Sequence, residues 1–104
     1  MARFLGNAFS LGMLSNNALV EVKFVTVEEA KKLAANAKSV VGHQDTANLY
    51  ATVLGMPVEF NRVTSKLAAG DELVVGQYSG PRLPEGAVSL PEGASIQWMH
   101  VTVA

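Results

Sequence analysis

The chain has no cysteine, which excludes a disulfide framework, a thiol nucleophile and a thiolate metal site. An excess of positive charge is also missing: eight Lys and Arg stand against nine Asp and Glu, for a formal net charge of −1. Binding to duplex nucleic acid draws on many cationic side chains facing the phosphates, so no duplex partner is expected, and an anionic ligand would need a small, local site. No uninterrupted apolar run approaches the ~20 residues of a membrane span, and M-A-R-F-L-G-N is too poor in apolar residues for a signal peptide. No membrane partner is therefore expected, and the chain reads as a soluble intracellular protein. Histidine is scarce, with His43 and His100 in different elements and no His-x-x-His or carboxylate-rich cluster, so no metal site is expected.

What is present favours folding. Residues 1–104 fit one domain, with 49% hydrophobic and 16% charged residues, and a chain of this length buries roughly two-thirds of its unfolded surface. Residues 2 to 5, A-R-F-L, read as a short strand ending at Gly6-Asn7, which puts Asn7 and Ser10 at a strand end. Residues 18 to 27 alternate Val20, Val22 and Phe24 with Glu21 and Lys23, the period-two pattern of a half-buried strand. Thr26-Val27-Glu28-Glu29 supplies a capping box, and the helix it opens carries Ala30, Leu33, Ala34 and Ala37 on one face and continues to about Lys38.

A second helix is expected from Gln44 to Leu54, with Gly55 and Pro57 as its stop and His43 at its N-terminal edge. Residues 58 to 67 and E-L-V-V-G-Q-Y read as two strands joined by a turn at Ala69-Gly70-Asp71, making a hairpin. Residues 80 to 94 hold three of the four prolines and three glycines and must be loop, before S-I-Q-W-M-H-V-T-V closes the chain as a strand. The expected class is α+β (mixed α/β): a mixed central sheet of about five strands with two helices packed on one face.

Some residues are candidates for chemistry. A helix N-terminus presents unpaired amides and partial positive charge, where phosphate tends to bind, and a histidine there is well placed to exchange a proton near neutral pH. His43 has that position; packing against the face of Ala47 and Tyr50 would account for it equally, and both readings stay open at this level. Pro81 and Pro84 restrict the backbone on either side of Arg82, with Glu85 near enough in sequence to pair with it. Arg62 is either a solvated residue or a bidentate phosphate clamp. Ser10 lies in no G-x-S-x-G elbow, which argues against a serine hydrolase, and His100, alternating within the last strand, reads as structural.

Taken in order, G-N-A-F-S-L-G-M-L, G-H-Q-D-T, F-N-R-V before K-L-x-x-G-D-E-L, and Q-Y-S-G-P-R-L-P-E-G resemble the viral ring-nuclease family, the anti-CRISPR proteins of type III immunity, and its cellular relatives. The resemblance runs from Asn7 to the last strand. It implies a homodimer that binds cyclic tetra-adenylate and cuts it, without metal or cofactor, to linear di-adenylate with a 2′,3′-cyclic phosphate, in the cytoplasm of a bacterial or archaeal cell. It also implies catalytic roles for His43 as general acid and for Arg82 and Glu85, and ligand contacts from Asn7, Ser10, Arg62 and Gln77. The same sequence leaves open a protein that sequesters a cyclic nucleotide without cleaving it, and an interaction domain.

Overall fold

The computed structural model describes residues 2–15, 17–63, 66–81, 86 and 89–104. Arg3–Gly6 forms β1, a 3-10 turn spans Leu11–Met13, and Val20–Val25 forms β2. Helix α1 covers Val27–Ala34, β3 is the short Lys38–Ser39, and α2 covers Gln44–Leu54. Strands β4, Glu72–Ser79, and β5, Ser95–Val103, complete a five-stranded sheet in the order β2-β5-β4-β1-β3. β1 runs parallel to both β3 and β4, while β5 is antiparallel to β4 and to β2. The expected α+β fold, a five-stranded mixed sheet with two helices, is the fold observed.

Local chemistry accounts for the helix ends. At Thr26 the capping box is complete: its hydroxyl accepts the Glu29 N–H and the Glu29 carboxylate accepts the Thr26 N–H. Helix α2 stops at Gly55, whose φ of 67° places it in the left-handed region open to glycine. The cross-strand register sorts the sheet into two faces. Leu5, Val74 and Trp98 form one core with Ala30 and Ala34 of α1 and Ala47, Tyr50 and Leu54 of α2. On the other face Leu73, Val75, Val101 and Val103 pack with Leu67, Phe9, Met13 and Leu14.

Tyr50 and Trp98 meet with ring centroids 4.8 Å apart, tilted by 59°, a geometry worth about 0.5–1.5 kcal/mol beyond burial. They leave no room at Gly76, where a Cβ would lie 2.8 Å from both Trp98 Cζ3 and the Tyr50 hydroxyl oxygen. The Tyr50 hydroxyl donates to the Gly76 carbonyl, and burial raises that phenol well above its ordinary range. This contact seats α2 on β4.

Three expectations are corrected. The described part of residues 58 to 67 forms no hairpin strand against β4; its ladder pairings are two single parallel bridges, Phe60 to Val41 and Leu67 to Leu14. Both edges of β4 are already taken, by β1 and β5, so no place remains for a hairpin partner. Helix α1 ends at Ala34, four residues before the expected Lys38. Finally, the alternation in β2 is real, but its apolar row is largely uncovered: Val22 is 50% and Phe24 70% exposed.

Candidate ligand site at the strand carboxyl ends

Because β1, β3 and β4 are mutually parallel, their carboxyl ends emerge on the same side of the sheet. In open sheets of this kind ligands bind at that edge, between the loops that leave neighbouring strands. Asn7 follows the last residue of β1, His43 lies at the N-cap of α2 after β3, and Gln77 sits near the end of β4. The parallel topology thus gathers three residues 34 to 70 positions apart in sequence.

The loop carrying His43 is held from both sides. The Gly42 N–H donates to Asn7 Oδ1 at 3.3 Å, tying the residue before His43 to the end of β1. On the other side the Arg62 side chain passes over Gly42, where a Cβ would stand 3.5 Å from Arg62 Cγ. His43 itself is exposed and makes no side-chain capping bond, while its carbonyl accepts the Ala47 N–H to begin the helix. The first-turn amides of Gln44, Asp45 and Thr46 consequently have no partner within the helix and point beyond its end.

A cavity of about 560 Å³ opens beside this edge, between the start of α2 and the sheet. Its wall comes from Asn7, Ala8 and Phe9 after β1 and from Thr46 and Tyr50 of α2; Gln77 and Tyr78 line its upper rim, and Val22, Val75, Met99 and Val101 its floor. A smaller depression next to it takes in Asn7 again with Ser10 and Gly12. Lys66 approaches the same segment, donating to the Gly12 carbonyl at 2.6 Å.

Asn7, Ser10, His43, Arg62 and Gln77 are therefore brought to one end of the molecule. The two other expected site residues, Arg82 and Glu85, lie outside the described residues. Thr46 was not singled out by sequence reasoning; its signal was its place three residues after the N-cap, in the first helical turn. Asp45 contributes differently, its Oδ1 accepting the Gly86 N–H at 3.2 Å and so tying Gly86 to the start of α2. Among the described residues no group of three or more His, Cys, Asp or Glu side chains converges as metal ligands.

His100 belongs to another cluster, as expected for a structural residue. Its Nε2 lies 2.7 Å from Glu72 Oε1, and Arg3 Nη2 reaches both oxygens of Glu72 at 3.3 and 3.2 Å. Burial pushes the Glu72 carboxyl up, but the hydrogen bonds from His100 and Arg3 together outweigh it and hold the group below its ordinary value.

Comparison with known proteins places these features in context. The family model described as STIV B116-like matches residues 3–97. Uncharacterized protein 26 of Sulfolobus islandicus filamentous virus is 35% identical over 72 residues, covering 67% of this chain and 60% of its own length, so the chain spans less than two-thirds of that relative. The solved structure of B116 of Sulfolobus turreted icosahedral virus superposes with a TM-score of 0.83 at 29% identity, over 98% of this chain and 99% of that one.

Proposed function

From a chain that belongs to the STIV B116-like family and has viral relatives, we propose a metal-independent ring nuclease that opens cyclic tetra-adenylate and so silences type III CRISPR signalling. The observation that carries this reading is that Gly42, next to His43, is bonded to Asn7 and packed against Arg62, at the carboxyl ends of parallel strands where Asn7 and Gln77 line a cavity beside the start of α2. Such an edge suits a phosphate-bearing ligand without a broadly basic surface, since a few aimed donors neutralise charge locally.

The chemistry asks little of the protein. In an RNA linkage the 2′-hydroxyl oxygen attacks the adjacent phosphorus, its proton is lost to solvent, and the bond from phosphorus to the 5′-oxygen breaks. The departing oxygen takes a proton from His43, leaving a 2′,3′-cyclic phosphate and a 5′-hydroxyl. Arg62, with Arg82 as a further candidate, offers charge to the phosphorane, and the pocket aligns the attack.

A second copy of the chain completes the reading. A cavity of about 560 Å³ lies within the roughly 300–1,000 Å³ that a single small ligand occupies, which suits half of a four-nucleotide ring better than the whole. Twofold symmetry would present two His43 side chains to opposite linkages and yield two linear di-adenylates. The uncovered Val22 and Phe24, continuous with the cavity floor, give such a dimer an apolar contact surface.

The test is incubation of the purified protein with radiolabelled cyclic tetra-adenylate in excess EDTA, with binding and products followed separately. Linear di-adenylate bearing a cyclic phosphate is expected. A ring bound but left intact would replace the enzyme with a sequestering protein, and absence of binding would leave an interaction domain.

A further inference from the structure

We propose that Asn61 is a positioning residue that sets Arg62 beside His43, an inference that rests on the ring-cleaving reading of the same site. After α2 the chain returns past Pro57 as irregular backbone, yet residues 59 to 61 are fastened closely to the segment that follows β3. The Asn61 main-chain N–H donates to the Val41 carbonyl at 2.8 Å, and its Nδ2 donates to the Ser39 carbonyl at 2.9 Å. Ser39 answers with its hydroxyl, which donates to the Glu59 carbonyl at 2.6 Å and accepts the Val41 N–H at 3.3 Å. Three hydrogen bonds thus join two three-residue stretches, a fourth braces residues 39 to 41 internally, and the fastening ends at Asn61, next to Arg62, and at Val41, two residues before His43.

This placement matters because Arg62 is exposed and long, with several rotatable bonds to freeze on binding a phosphate. Fixing its Cα removes the part of that search that belongs to the backbone. The Arg62 stem packs against Gly42, the residue before His43, its Cγ 3.5 Å from where a Gly42 Cβ would stand. The Ser39 partner is a carbonyl, which requires the amide nitrogen of Asn61 on that side; aspartate has the same size but no donor there. Both the main-chain N–H and the Nδ2 of Asn61 are engaged by the carbonyls of Val41 and Ser39, so it acts through Arg62 rather than on the ligand.

A cycle of Asn61→Ala, Arg62→Ala and the double variant tests this, with kcat and KM for cyclic tetra-adenylate measured well below each variant's melting temperature. A misplaced catalytic group costs up to about a hundredfold, so Asn61→Ala should lose about tenfold or more in kcat/KM. The decisive readout is coupling: the double variant should be no slower than Arg62→Ala alone. Asn61→Asp should behave as Asn61→Ala, and far-ultraviolet circular dichroism should show both folded. Losses that multiply in the double variant, or Asn61→Ala activity within about twofold of wild type, would overturn the proposal while leaving the ring-cleaving reading intact. A wild type that leaves the ring uncut overturns both.

Discussion

Asn7 Oδ1 accepts the Gly42 N–H at 3.3 Å, so the end of β1 holds the backbone immediately before His43. Removing that acceptor in Asn7→Ala should cost stability only about 1 kcal/mol, the net worth of one such bond, while releasing the loop that aims the imidazole. Ring cleavage by this variant should fall by about tenfold or more, read by single-turnover kinetics at a temperature where it is fully folded. Wild-type cleavage in Asn7→Ala would remove the bond from any part in placing His43.

Gly76 has no spare space, with Trp98, Tyr50 and Ile96 all within 2.9 Å of where a Cβ would stand. Gly76→Ala should therefore destabilise the fold by about 1–3 kcal/mol, as overpacking of a filled core does. Tyr50→Phe, which loses only the bond to the Gly76 carbonyl, should cost about 1 kcal/mol. Urea denaturation of the three proteins checks the ranking; an unaffected Gly76→Ala would mean that α2 is free to move away from β4.

Acid sensitivity should concentrate in two neighbouring carboxylates. The amides of Ala68 and Ala2 hold the Asp71 carboxyl below its ordinary value of 3.8, and Glu72 is held below 4.5 after its burial is outweighed by His100 and Arg3. Both values are lower in the folded chain than in the unfolded one. Their stabilisation is therefore complete above about pH 4.5 to 5 and is lost as the pH falls through the lower folded values. Asp71→Asn should be less stable than wild type at neutral pH by about 1–2 kcal/mol and lose less on acidification, measured as the urea midpoint against pH. Parallel curves for the two proteins would contradict this.

Phe24, 70% exposed on an edge strand beside Val22, should sit in the proposed contact between copies. Phe24→Asp should shift the protein from dimer to monomer in analytical ultracentrifugation with its melting temperature nearly unchanged. Cleavage should fall with the dimer fraction and recover in part at high protein concentration. A monomeric wild type, or a dimer indifferent to this change, would move the contact elsewhere.

Much of the fold was legible because its signals are local. The Gly55 and Pro57 stop and the Gly-His start bounded α2 at Gln44 and Leu54, and Thr26 with Glu29 marked where α1 begins. The end of α1 was overextended because A-A-N-A-K carries no glycine stop and keeps good helix formers. The false hairpin has a different origin. V-E-F-N-R-V alternates as a strand does, and Asp71 does close a turn on the Ala68 amide, but sheet order is decided by long-range pairing of β4 with β1 and β5. Periodicity carries no record of which partner wins.

The site divides in the same way. His43 was visible as a histidine at a helix start, Asn7 by its place at a strand end and Arg62 by its residue type, whereas only resemblance to a family joined the three in one site. Nothing local relates Asn7 to Gly42, 35 residues later, or Asn61 to Ser39, 22 residues earlier. Those links exist only once parallel pairing of β1 with β3 has closed the sheet.

The central claim is that His43 protonates the leaving oxygen, and it is tested most directly by comparing wild type with His43→Ala on labelled cyclic tetra-adenylate in excess EDTA. Ring binding should be retained in the variant, while cleavage to cyclic-phosphate di-adenylate should drop by about 10²–10⁴-fold, the usual contribution of a positioned acid. Undiminished cleavage by His43→Ala would contradict the account and return His43 to a residue that merely ends a helix.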